Sequence, residues 1–436
     1  MATYYISPSG NDTTGSGAIG SPWFTLNKAW TVVAAGDTVY MRGGTYTYDI
    51  QQYLTGENGS SGNTIKIYNY PGESPVITRD VTFDKSAGYH KGMVFITANY
   101  IHIKGIRFTG MYTDDNQVDA GLYLFDCNNS TFELVECDNN VQGVFCEGSY
   151  DGLLFLNSDF HDNYSNYDGT NGGNSDGIGY SYNSNTSSVN TVRGCRAWNN
   201  GDDGFDSFQC LGYVLYDKCW SWHNGFVYGT STRAGNGCGF KLGSNFPQPS
   251  STTGVLKRRM QNCIAWDNGD PAASGGAAGV HINEADHVCE VINCTFYNNG
   301  ITGLNFHYDN RPHVLTNVIS FDNLDKDVEV SGTSTSLTSS YSPAGSSDAS
   351  SGWTNNASSA DFVSVTPTGV TGARQAGGSL PVITFLHLTV GSDMIDTGTD
   401  VGLPYVGSNP DRGAFEYGAS ELEDSGENTA TLAWLF

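Results

Sequence analysis

Basic residues are scarce in this chain. Its 436 residues include 20 lysines and arginines against 45 aspartates and glutamates, which gives a formal net charge of −25. This balance argues against nucleic acid as a partner, because nucleic-acid-binding domains need a basic face. It also means that a polyanionic substrate would have to be bridged to the protein by bound cations.

Long apolar runs and helical periodicity are also missing. No apolar stretch approaches the length that spans a bilayer, so we expect no membrane partner. Between positions 100 and 325, no apolar stripe recurs at i, i+3, i+4 and i+7, which argues against a helical repeat protein. No signal peptide is recognisable, and the opening Met1-Ala-Thr-Tyr-Tyr5 is typical of a start added to a mature chain.

A sequence repeat takes the place of helical periodicity. Each unit has a cysteine, an aromatic residue three positions later, and a closing Asn-Gly. Units without an insertion repeat every 24 residues, and the longer repeats contain Gly/Ser/Pro-rich insertions such as 243–254. Short alternating apolar runs at this period predict a solenoid of β-coils. The full units are Cys195-Arg-Ala-Trp198-Asn-Asn200-Gly201, Cys219-Trp-Ser-Trp222-His-Asn224-Gly225, Cys263-Ile-Ala-Trp266-Asp-Asn268-Gly269 and Cys294-Thr-Phe-Tyr297-Asn-Asn299-Gly300, with weaker copies at Val318-Ile-Ser-Phe321-Asp-Asn323 and Asn157-Ser-Asp-Phe160-His-Asp162.

Stacked coils place equivalent residues in columns, because neighbouring strands lie about 4.7–4.9 Å apart. We expect the aromatic residues and cysteines to form inward or corner stacks, the cysteines packing as small hydrophobes. Ten cysteines leave the redox compartment ambiguous, and a Cys289–Cys294 disulfide is left open. The asparagines should form an amide ladder that satisfies backbone groups in the turns. The expected ladder contains Asn200, Asn224, Asn268, Asn299 and Asn323.

A second shared pattern, Gly-apolar-x-apolar, follows the units. Successive side chains of a strand face opposite sides, so the apolar position should point inwards and x outwards. Lys241 is thus predicted one coil from Asp206 on the same exposed sheet face, and Asp176 aligns with Asp203 of the next coil. The predicted outward column contains Phe145, Gly179, Asp206, Lys241, His281 and Asn305.

The segment Gly201-Asp-Asp-Gly-Phe-Asp206 is brought beside Asp176 and Lys241 by this alignment. Asp-Gly clusters taken alone are more often exposed turns than ligand sets, and a lone lysine is more often a solvated surface group. Convergence across coils instead favours a hard-cation site, since calcium takes about six to eight oxygen ligands. A lysine beside such a site is a candidate base, because desolvation or a nearby cation lowers the pKa of an amine.

The chain divides by composition into four parts. One helix is predicted after position 20, with Ser21 as N-cap and Pro22 in its first turn, covering the end of the solenoid. Residues 361–417 are predicted to close the other end. The parts are 1–100, an N-terminal cap and first coils; 101–330, the repeat region with the site; 331–417, loop-rich C-terminal coils and cap; and 418–436, a tail of unknown role.

The motifs resemble those of the family 9 polysaccharide lyases over about residues 3–417. This resemblance implies an all-β, right-handed parallel β-helix that is secreted and cleaves pectic polymers. The matching motifs are Tyr4-Tyr-Ile-Ser-Pro-Ser-Gly-Asn-Asp12, Gly36-Asp-Thr-Val-Tyr-Met-Arg-Gly-Gly-Thr-Tyr46, Asn174-Ser-Asp-Gly177, Gly201-Asp-Asp-Gly-Phe-Asp206, Gly239-Phe-Lys241 and Gly413-Ala-Phe-Glu-Tyr417.

The resemblance also implies roles for individual residues. Four aspartates of the family bind a catalytic calcium, and a lysine is the Brønsted base. At the matching positions the calcium ligands are Asp176, Asp202, Asp203 and Asp206, and the base is Lys241. The reaction would be β-elimination in polygalacturonate or rhamnogalacturonan, with calcium neutralising the uronate carboxylate while the base removes the C5 proton.

Four further residues are predicted substrate contacts. His281 and Asn305 continue the outward column, where polar surface filler is the alternative. Arg233 and Arg311 lie in loops near the predicted groove and would pair with uronate carboxylates, with surface salt bridges as the alternative.

Two other functions are left open by the sequence. A β-helix glycoside hydrolase would also use paired carboxylates, although the Gly-His-Gly and Arg-Ile-Lys elements of polygalacturonases are missing. A non-catalytic solenoid that binds glycans or forms filaments would suit the strong acidity and the apolar Leu432-Ala-Trp-Leu-Phe436. We expect a monomer, with filament assembly as the alternative.

Overall fold

The computed structural model describes residues 1–419 with several internal gaps. The predicted C-terminal tail beyond 419 and most of the insertion 243–254 lie outside the described residues. The gaps are 85–91, 113–118, 167–168, 170, 244–253, 273–275, 284–285, 307–310, 331–335, 339, 342–352 and 355–356.

Three parallel sheets run along the described chain, and each coil contributes one strand to each sheet in turn. The first sheet contains β1 (Thr3–Ile6), β2 (Thr38–Met41), β5 (Ile65–Asn69), β8 (Ile101–Lys104), β11 (Thr131–Glu133), β14 (Leu154–Leu156), β17 (Val189–Arg193), β20 (Tyr213–Asp217), β23 (Leu256–Gln261), β26 (Val288–Ile292), β29 (Val314–Thr316) and β32 (Ser336–Thr338). The second contains β4 (Gln52–Leu54), β7 (Gly92–Ile96), β10 (Ala120–Phe125), β13 (Gln142–Gly148), β16 (Ile178–Asn183), β19 (Phe205–Asp206), β22 (Phe240–Lys241), β25 (Ala278–His281), β28 (Thr302–Phe306) and β31 (Lys326–Val330). The third contains β3 (Gly44–Ile50), β6 (Pro75–Asp84), β9 (Arg107–Thr109), β12 (Glu136–Asp138), β15 (Asp159–His161), β18 (Arg196–Trp198), β21 (Trp220–Trp222), β24 (Ile264–Trp266), β27 (Thr295–Tyr297), β30 (Ile319–Phe321), β33 (Ser340–Tyr341) and β34 (Trp353–Thr354).

This arrangement is a parallel β-helix, as the repeat predicts. The predicted inward positions of the second sheet are fully buried in one continuous apolar core between the three sheets. Strands of two to seven residues suffice in the repeat region because each is paired with a strand on either side. None of the helices in the described part of the chain is long and apolar enough to cross a membrane. The inward positions are Val144, Ile178, Phe205, Phe240, Val280 and Leu304.

The asparagine ladder is confirmed. The side-chain amide of Asn200 donates to the side-chain oxygen of Asn224 over 2.9 Å, and the same contact joins Asn224 to Asn268, again over 2.9 Å. It continues through Asn299 to Asn323 over 3.1 and 2.9 Å. Each oxygen also accepts the backbone N–H of the asparagine one coil earlier, as from Asn200 to Asn224 over 3.1 Å.

The ladder begins earlier than predicted, and the Oδ1 of Asn163 in turn accepts the backbone N–H of Asn140 over 3.1 Å. Asn163 donates to Asn200 over 2.9 Å and is fully buried. The weaker copy of the repeat, as aligned from the sequence, ends at Asp162, one residue short of the ladder position. A serine at position 158, where other units have cysteine, hid the correct alignment.

The repeat cysteines form the predicted inward column. The backbone N–H of Cys219 points to the Sγ of Cys263 over 3.3 Å, and that of Cys263 to the Sγ of Cys294 over 3.5 Å. All ten cysteines are free and buried, so Cys289 and Cys294 do not form a disulfide in this structure.

The aromatic column is stacked as predicted, but it points outwards from the third sheet. Trp198, Trp222 and Trp266 stack on the outer face of the third sheet with ring centroids 4.8 and 4.7 Å apart. The column alternates with the inward Ala197 and Ala265, which belong to the interior core. The tryptophans belong to a second apolar cluster that includes residues of the C-terminal segment.

The C-terminal segment covers this outer face instead of closing the end of the solenoid. Phe362 stacks on Phe321 at 4.8 Å, and Phe385 meets the edge of Trp266 at 5.0 Å. Arg374 is held by Asp159, at 2.6 Å, on a coil far from the C-terminal end. Large aromatic side chains on an outer sheet face are removed from water only when another segment packs over them. This burial explains why residues 357–419 lie along the outer face of the third sheet.

A short helix near the N-terminus is confirmed, but it starts later than predicted. Helix α1 (Leu26–Trp30) begins after Thr25, whose side chain accepts the N–H of Lys28. Residues 21–24 are extended instead, because Trp23 pairs with β1 through the N–H bond to Tyr5 O at 3.1 Å. Leu26 and Trp30 are buried against the first coils, so the helix covers the start of the core. A second helical element, a 3-10 turn, spans Ser359–Asp361.

We predict that Asn224→Ala lowers the free energy of unfolding by about 2–4 kcal/mol, because it leaves the buried donors of Asn200 without an acceptor. Urea unfolding followed by circular dichroism measures this change. Asn63→Ala, at an exposed turn, is the matched control and should change stability little. Equal effects of the two substitutions would contradict a structural role for the ladder.

Candidate active site

The predicted outward column is confirmed by the strand register of the second sheet. Asp206 on β19 pairs directly with Lys241 on β22, and Gly179 on β16 pairs with Asp206 on its other side. His281 and Asn305 follow Lys241 on the next two strands. The parallel pairing therefore places Lys241 next to Asp206 on the outward face of the second sheet.

The face that carries this column is not exposed, which corrects the sequence-based expectation. Asp206 and Lys241 are only 5% and 7% exposed, and Asp203 is fully buried. Loops of variable length precede β16 and β22 and build walls above the strands, so the column lies at the bottom of a cleft of about 450 Å³. Repeat spacing predicts the register of a strand but not the height of the loops around it.

Three of the four predicted ligands lie together. Asp176, Asp202 and Asp203 each offer a carboxylate oxygen, and these oxygens all lie within 4.8 Å of one another. All three side chains precede the strands β16 and β19, in turns where two adjacent coils approach. This spacing suits a single cation bound between carboxylates.

Backbone donors hold these carboxylates in place. The two oxygens of Asp202 accept the N–H groups of Asn174 and Asn236 over 2.8 and 2.5 Å. Asp203 accepts the N–H of Cys238 over 2.7 Å. A Cβ on Gly235 would lie 2.4 Å from an oxygen of Asp202, so only glycine allows this loop to approach so closely.

Asp206 stands apart from the other three. It is not among the oxygens grouped within 4.8 Å, and its Oδ1 is buried with no hydrogen-bond partner. A buried carboxylate oxygen without a donor is costly unless a proton or a cation satisfies it.

Lys241 is paired within this group. Its Nζ lies 2.9 Å from Asp203 Oδ2. Burial disfavours the charged ammonium, but Asp203, Asp206, Asp202 and Asp176 together outweigh burial and raise the pKa of Lys241 well above its ordinary range. The lysine is therefore an ammonium as long as the carboxylates are not otherwise neutralised.

The carboxylates are destabilised by one another. Burial and then the charges of Asp206, Asp202 and Asp203 raise the pKa of Asp176 well above its ordinary value. Burial, followed by the charge of Asp203, raises the pKa of Asp202 to about 6. Burial also raises the pKa of Asp206 to about 7, although Lys241 opposes the shift.

The donor set fits a hard divalent cation. Four buried carboxylates face one ammonium, so the site carries an excess of negative charge, and Asp206 adds an oxygen without a partner. Oxygen donors of this kind are the ligands that calcium prefers. The cation would be held by Asp176, Asp202 and Asp203, and Asp206 lies outside their group of oxygens.

The predicted substrate contacts are divided between two environments. Arg233 lines the cleft. Arg311 instead forms a salt bridge with Asp286 and is not among the residues that line this cleft, in keeping with the salt-bridge alternative. His281 is buried beside Lys241, and burial, followed by that lysine's charge, lowers the pKa of His281 to about 4. Asn305 contacts Glu329 over 3.4 Å.

Sequence reasoning missed the walls of the cleft. Tyr182 lies near the end of β16, Phe208 follows β19, and Asn236 lies in the loop before β22. Nothing in the repeat marks them, since they lie where the coils differ in length.

A second group of possible ligands lies on the third sheet, away from the cleft. Glu136, Asp138 and His161 approach within 4.8 Å, but Arg107 already binds Asp138 at 2.6 Å. Burial opposes the charged imidazole, yet Asp162 and Glu136 raise the pKa of His161 to about 9. Cationic partners thus neutralise this group already, and it is a network of ion pairs.

Comparison with known proteins agrees with the fold. A model described as "Pel9A-like, right handed beta helix region" matches residues 4–311. Pectate lyase L of Dickeya chrysanthemi is 30% identical over 438 residues, covering 95% of this chain and 90% of that protein.

Two solved structures have a similar fold. The crystal structure of pectate lyase Pel9A superposes with a TM-score of 0.75 and 26% identity, covering 95% of this chain and 96% of that one. A rhamnogalacturonan lyase superposes with a TM-score of 0.75 and 24% identity, covering 89% and 97%. At this lower identity the second similarity concerns the fold alone.

We predict that, in a chelator, the thermal midpoint of the protein falls as pH rises between 3.8 and about 7, the ordinary and shifted pKa values of Asp206. The sign follows because the folded state binds this proton more tightly than the unfolded chain does, so raising the pH favours unfolding across that window. Asp206→Asn should reduce this slope. Parallel curves for the two proteins would contradict the burial of a strained carboxyl group at this position.

Proposed function

Because the chain belongs to the Pel9A-like right-handed β-helix family, we propose that this polysaccharide lyase cleaves an acidic pectic polymer by calcium-dependent β-elimination, with Lys241 as the base. The observation that carries the proposal is the register of β19 and β22. It sets Lys241 beside Asp206, and Lys241 Nζ lies 2.9 Å from Asp203 in a buried acidic cleft.

The residues of the site divide the work of such an elimination. Lys241 accepts the proton from C5 of a uronate, the electrons of the C5–H bond form the C4–C5 double bond, and the O4-linked sugar leaves and takes up a proton from water. The hydroxide that remains takes the proton back from Lys241. A bound hard cation supplies the charge that neutralises the uronate carboxylate and opposes the ammonium form of the lysine. Asp176, Asp202 and Asp203 position that charge through their backbone-held oxygens.

Lys241 must lose a proton before it can accept one. The carboxylates raise the pKa of Lys241, so the same side chains that would bind the cation hold the lysine in its protonated form. Base activation and cation binding are therefore linked through the Asp203 contact. Lysine is suited to this role because its pKa responds strongly to neighbouring charge.

Two neighbours of the lysine have supporting roles in this proposal. His281 lies beside Lys241 and is uncharged at neutral pH. It therefore adds no positive charge that would attract another carboxylate into the site. Arg233 lines the cleft and can pair with a uronate carboxylate in two parallel hydrogen bonds. We also infer an extracellular location, since a polymer of this kind does not cross a membrane.

We predict that incubation with polygalacturonate or rhamnogalacturonan in calcium produces unsaturated uronides, measured by ultraviolet absorbance, and that chelation abolishes this signal. Lys241→Ala should lower kcat by about 10³-fold or more, as expected for loss of a general base. Lys241→Arg should be equally impaired, because a guanidinium keeps its proton.

Lys66→Ala, on an outer position of the first sheet, is the matched control and should retain activity. Release of reducing sugar without absorbance would indicate a hydrolase that uses the carboxylates as acid and base. Absence of cleavage in either polymer, with calcium still bound, would favour a non-catalytic glycan-binding solenoid.

A further inference from the structure

An arginine lies inside the solenoid, in the otherwise apolar core. Arg258 on β23 pairs in register with Val214 on β20 and Cys289 on β26, and both of these neighbours belong to the interior core. Arg258 therefore points inwards, and it is fully buried. Among the described residues, its guanidinium donates only to backbone carbonyl groups. A buried charge without an opposite charge costs stability, so core packing alone does not explain this residue.

The guanidinium of Arg258 holds the turn that follows β19. It donates to the carbonyl oxygens of Cys210 and Gly212 over 2.6 and 2.5 Å. Both residues come shortly after Asp206, which ends β19. This strand has only two residues, and its register with β22 consists of two residue pairs. The arginine thus fixes the backbone beyond Asp206 from the interior of the solenoid.

A buried histidine makes the equivalent contact one coil later. His287 is fully buried just before β26, and its Nε2 lies 3.0 Å from the carbonyl oxygen of Leu242. Leu242 directly follows Lys241, which ends the two-residue strand β22. A carbonyl oxygen only accepts, so Nε2 carries a proton and donates it. Burial, followed by the charge of Arg258, lowers the pKa of His287 well below its ordinary value, so the ring is neutral.

A bulge brings Arg258 into this position. The register between β23 and β26 shifts between Leu256 and Arg258, where β23 has one extra residue, Lys257. Bulges of this kind re-aim the side chains that follow them. Arg258 also donates to the carbonyl oxygen of Lys257 over 2.8 Å, so it stabilises the bulge that orients it. Arg258 and His287 are called the interior pair below.

The two turns held by the interior pair are also bonded to neighbouring strand ends. The N–H of Ser207 donates to the carbonyl oxygen of Lys241 over 3.0 Å. The N–H of Leu242 donates to the carbonyl oxygen of His281 over 2.8 Å. A shift of either turn would therefore be transmitted to the strand end that carries Lys241.

The grouped carboxylates lie at the opposite ends of the same strands. Asp202 and Asp203 precede β19, and they have their own backbone donors in Asn174, Asn236 and Cys238. The interior pair contacts only the segments after the strands. The two ends of the site are thus fixed by separate sets of hydrogen bonds.

We propose that Arg258 and His287 are positioning residues of the active site, which hold the ends of β19 and β22 from the core and so keep Asp206 and Lys241 side by side. This inference rests on the proposed function, because that function makes Lys241 the base. Neither residue touches the substrate, and both act through the backbone of the turns. A misplacement of about 1 Å lowers the rate of an enzymatic step by about 100-fold, so this control of position is large enough to matter.

Steady-state elimination by Arg258→Met and His287→Leu tests the interior pair, in calcium and on whichever of polygalacturonate and rhamnogalacturonan the wild type cleaves. Both changes keep an apolar side chain in the core and remove the donors. Each should lower kcat about tenfold to 100-fold and leave KM nearly unchanged. Calcium affinity, measured by calorimetry, should also be unchanged, since Asp202 and Asp203 keep their backbone donors.

Conservative variants and a core control separate position from stability. His287→Gln places an amide N–H near the position of Nε2, and Arg258→Lys keeps a buried donor, so each should recover part of kcat. Val291→Ala, at a fully buried position of β26, is the matched control: it should lower the thermal midpoint but leave kcat unchanged well below that midpoint. Unchanged kcat in Arg258→Met and His287→Leu, or an equal loss in Val291→Ala, would overturn the proposal. His287→Leu carries the test if Arg258→Met does not fold.

Hydrogen exchange followed by mass spectrometry tests the interior pair without any substrate. Exchange should become at least about tenfold faster at 207–212 in Arg258→Met and at Leu242 in His287→Leu, while the segment 195–203 keeps its protection. Unchanged exchange in both turns, or a uniform increase along the chain, would contradict the proposal. If no polymer yields unsaturated product, the lyase proposal fails, and the exchange result still decides whether the interior pair fixes these turns.

Discussion

The fixed register between parallel coils is the constraint on which the rest of this structure depends. Backbone hydrogen bonds set the spacing of the coils, and the buried asparagine ladder fixes the turns so that each new strand starts in step with the last. The position of every side chain is then fixed by its coil and by its place in the strand. Asp206 and Lys241 are neighbours because of this register, although 34 residues of chain lie between them.

The same rigidity allows the cleft to hold an unfavourable charge arrangement. Four buried carboxylates around one ammonium would move apart on a flexible scaffold, but here backbone N–H groups hold Asp202 and Asp203 in position. The walls come from loops that differ from coil to coil. A regular framework thus supplies precision, and irregular insertions supply enclosure.

Much of this framework could be predicted from the sequence because strand periodicity and stacking are simple rules. They gave the outward column, the inward apolar positions and most of the ladder. They could not predict the burial of Lys241, since the loops above it follow no repeat, nor the direction of Trp222, whose cover comes from a distant segment. Helix α1 starts at Leu26 and not beside Ser21 because Trp23 pairs with β1, a tertiary contact that local capping rules ignore.

The C-terminal segment changes how such a solenoid can come apart. In a simple array each coil contacts only its neighbours, so the ends can fray one coil at a time. Here Arg374 binds Asp159, and Phe362 stacks on Phe321. A single stretch of chain therefore connects the coils between these two contacts. Losing one coil in this span would strain the contacts of several others. The enzyme's central coils, including those that carry the cleft, are therefore coupled into one cooperative unit.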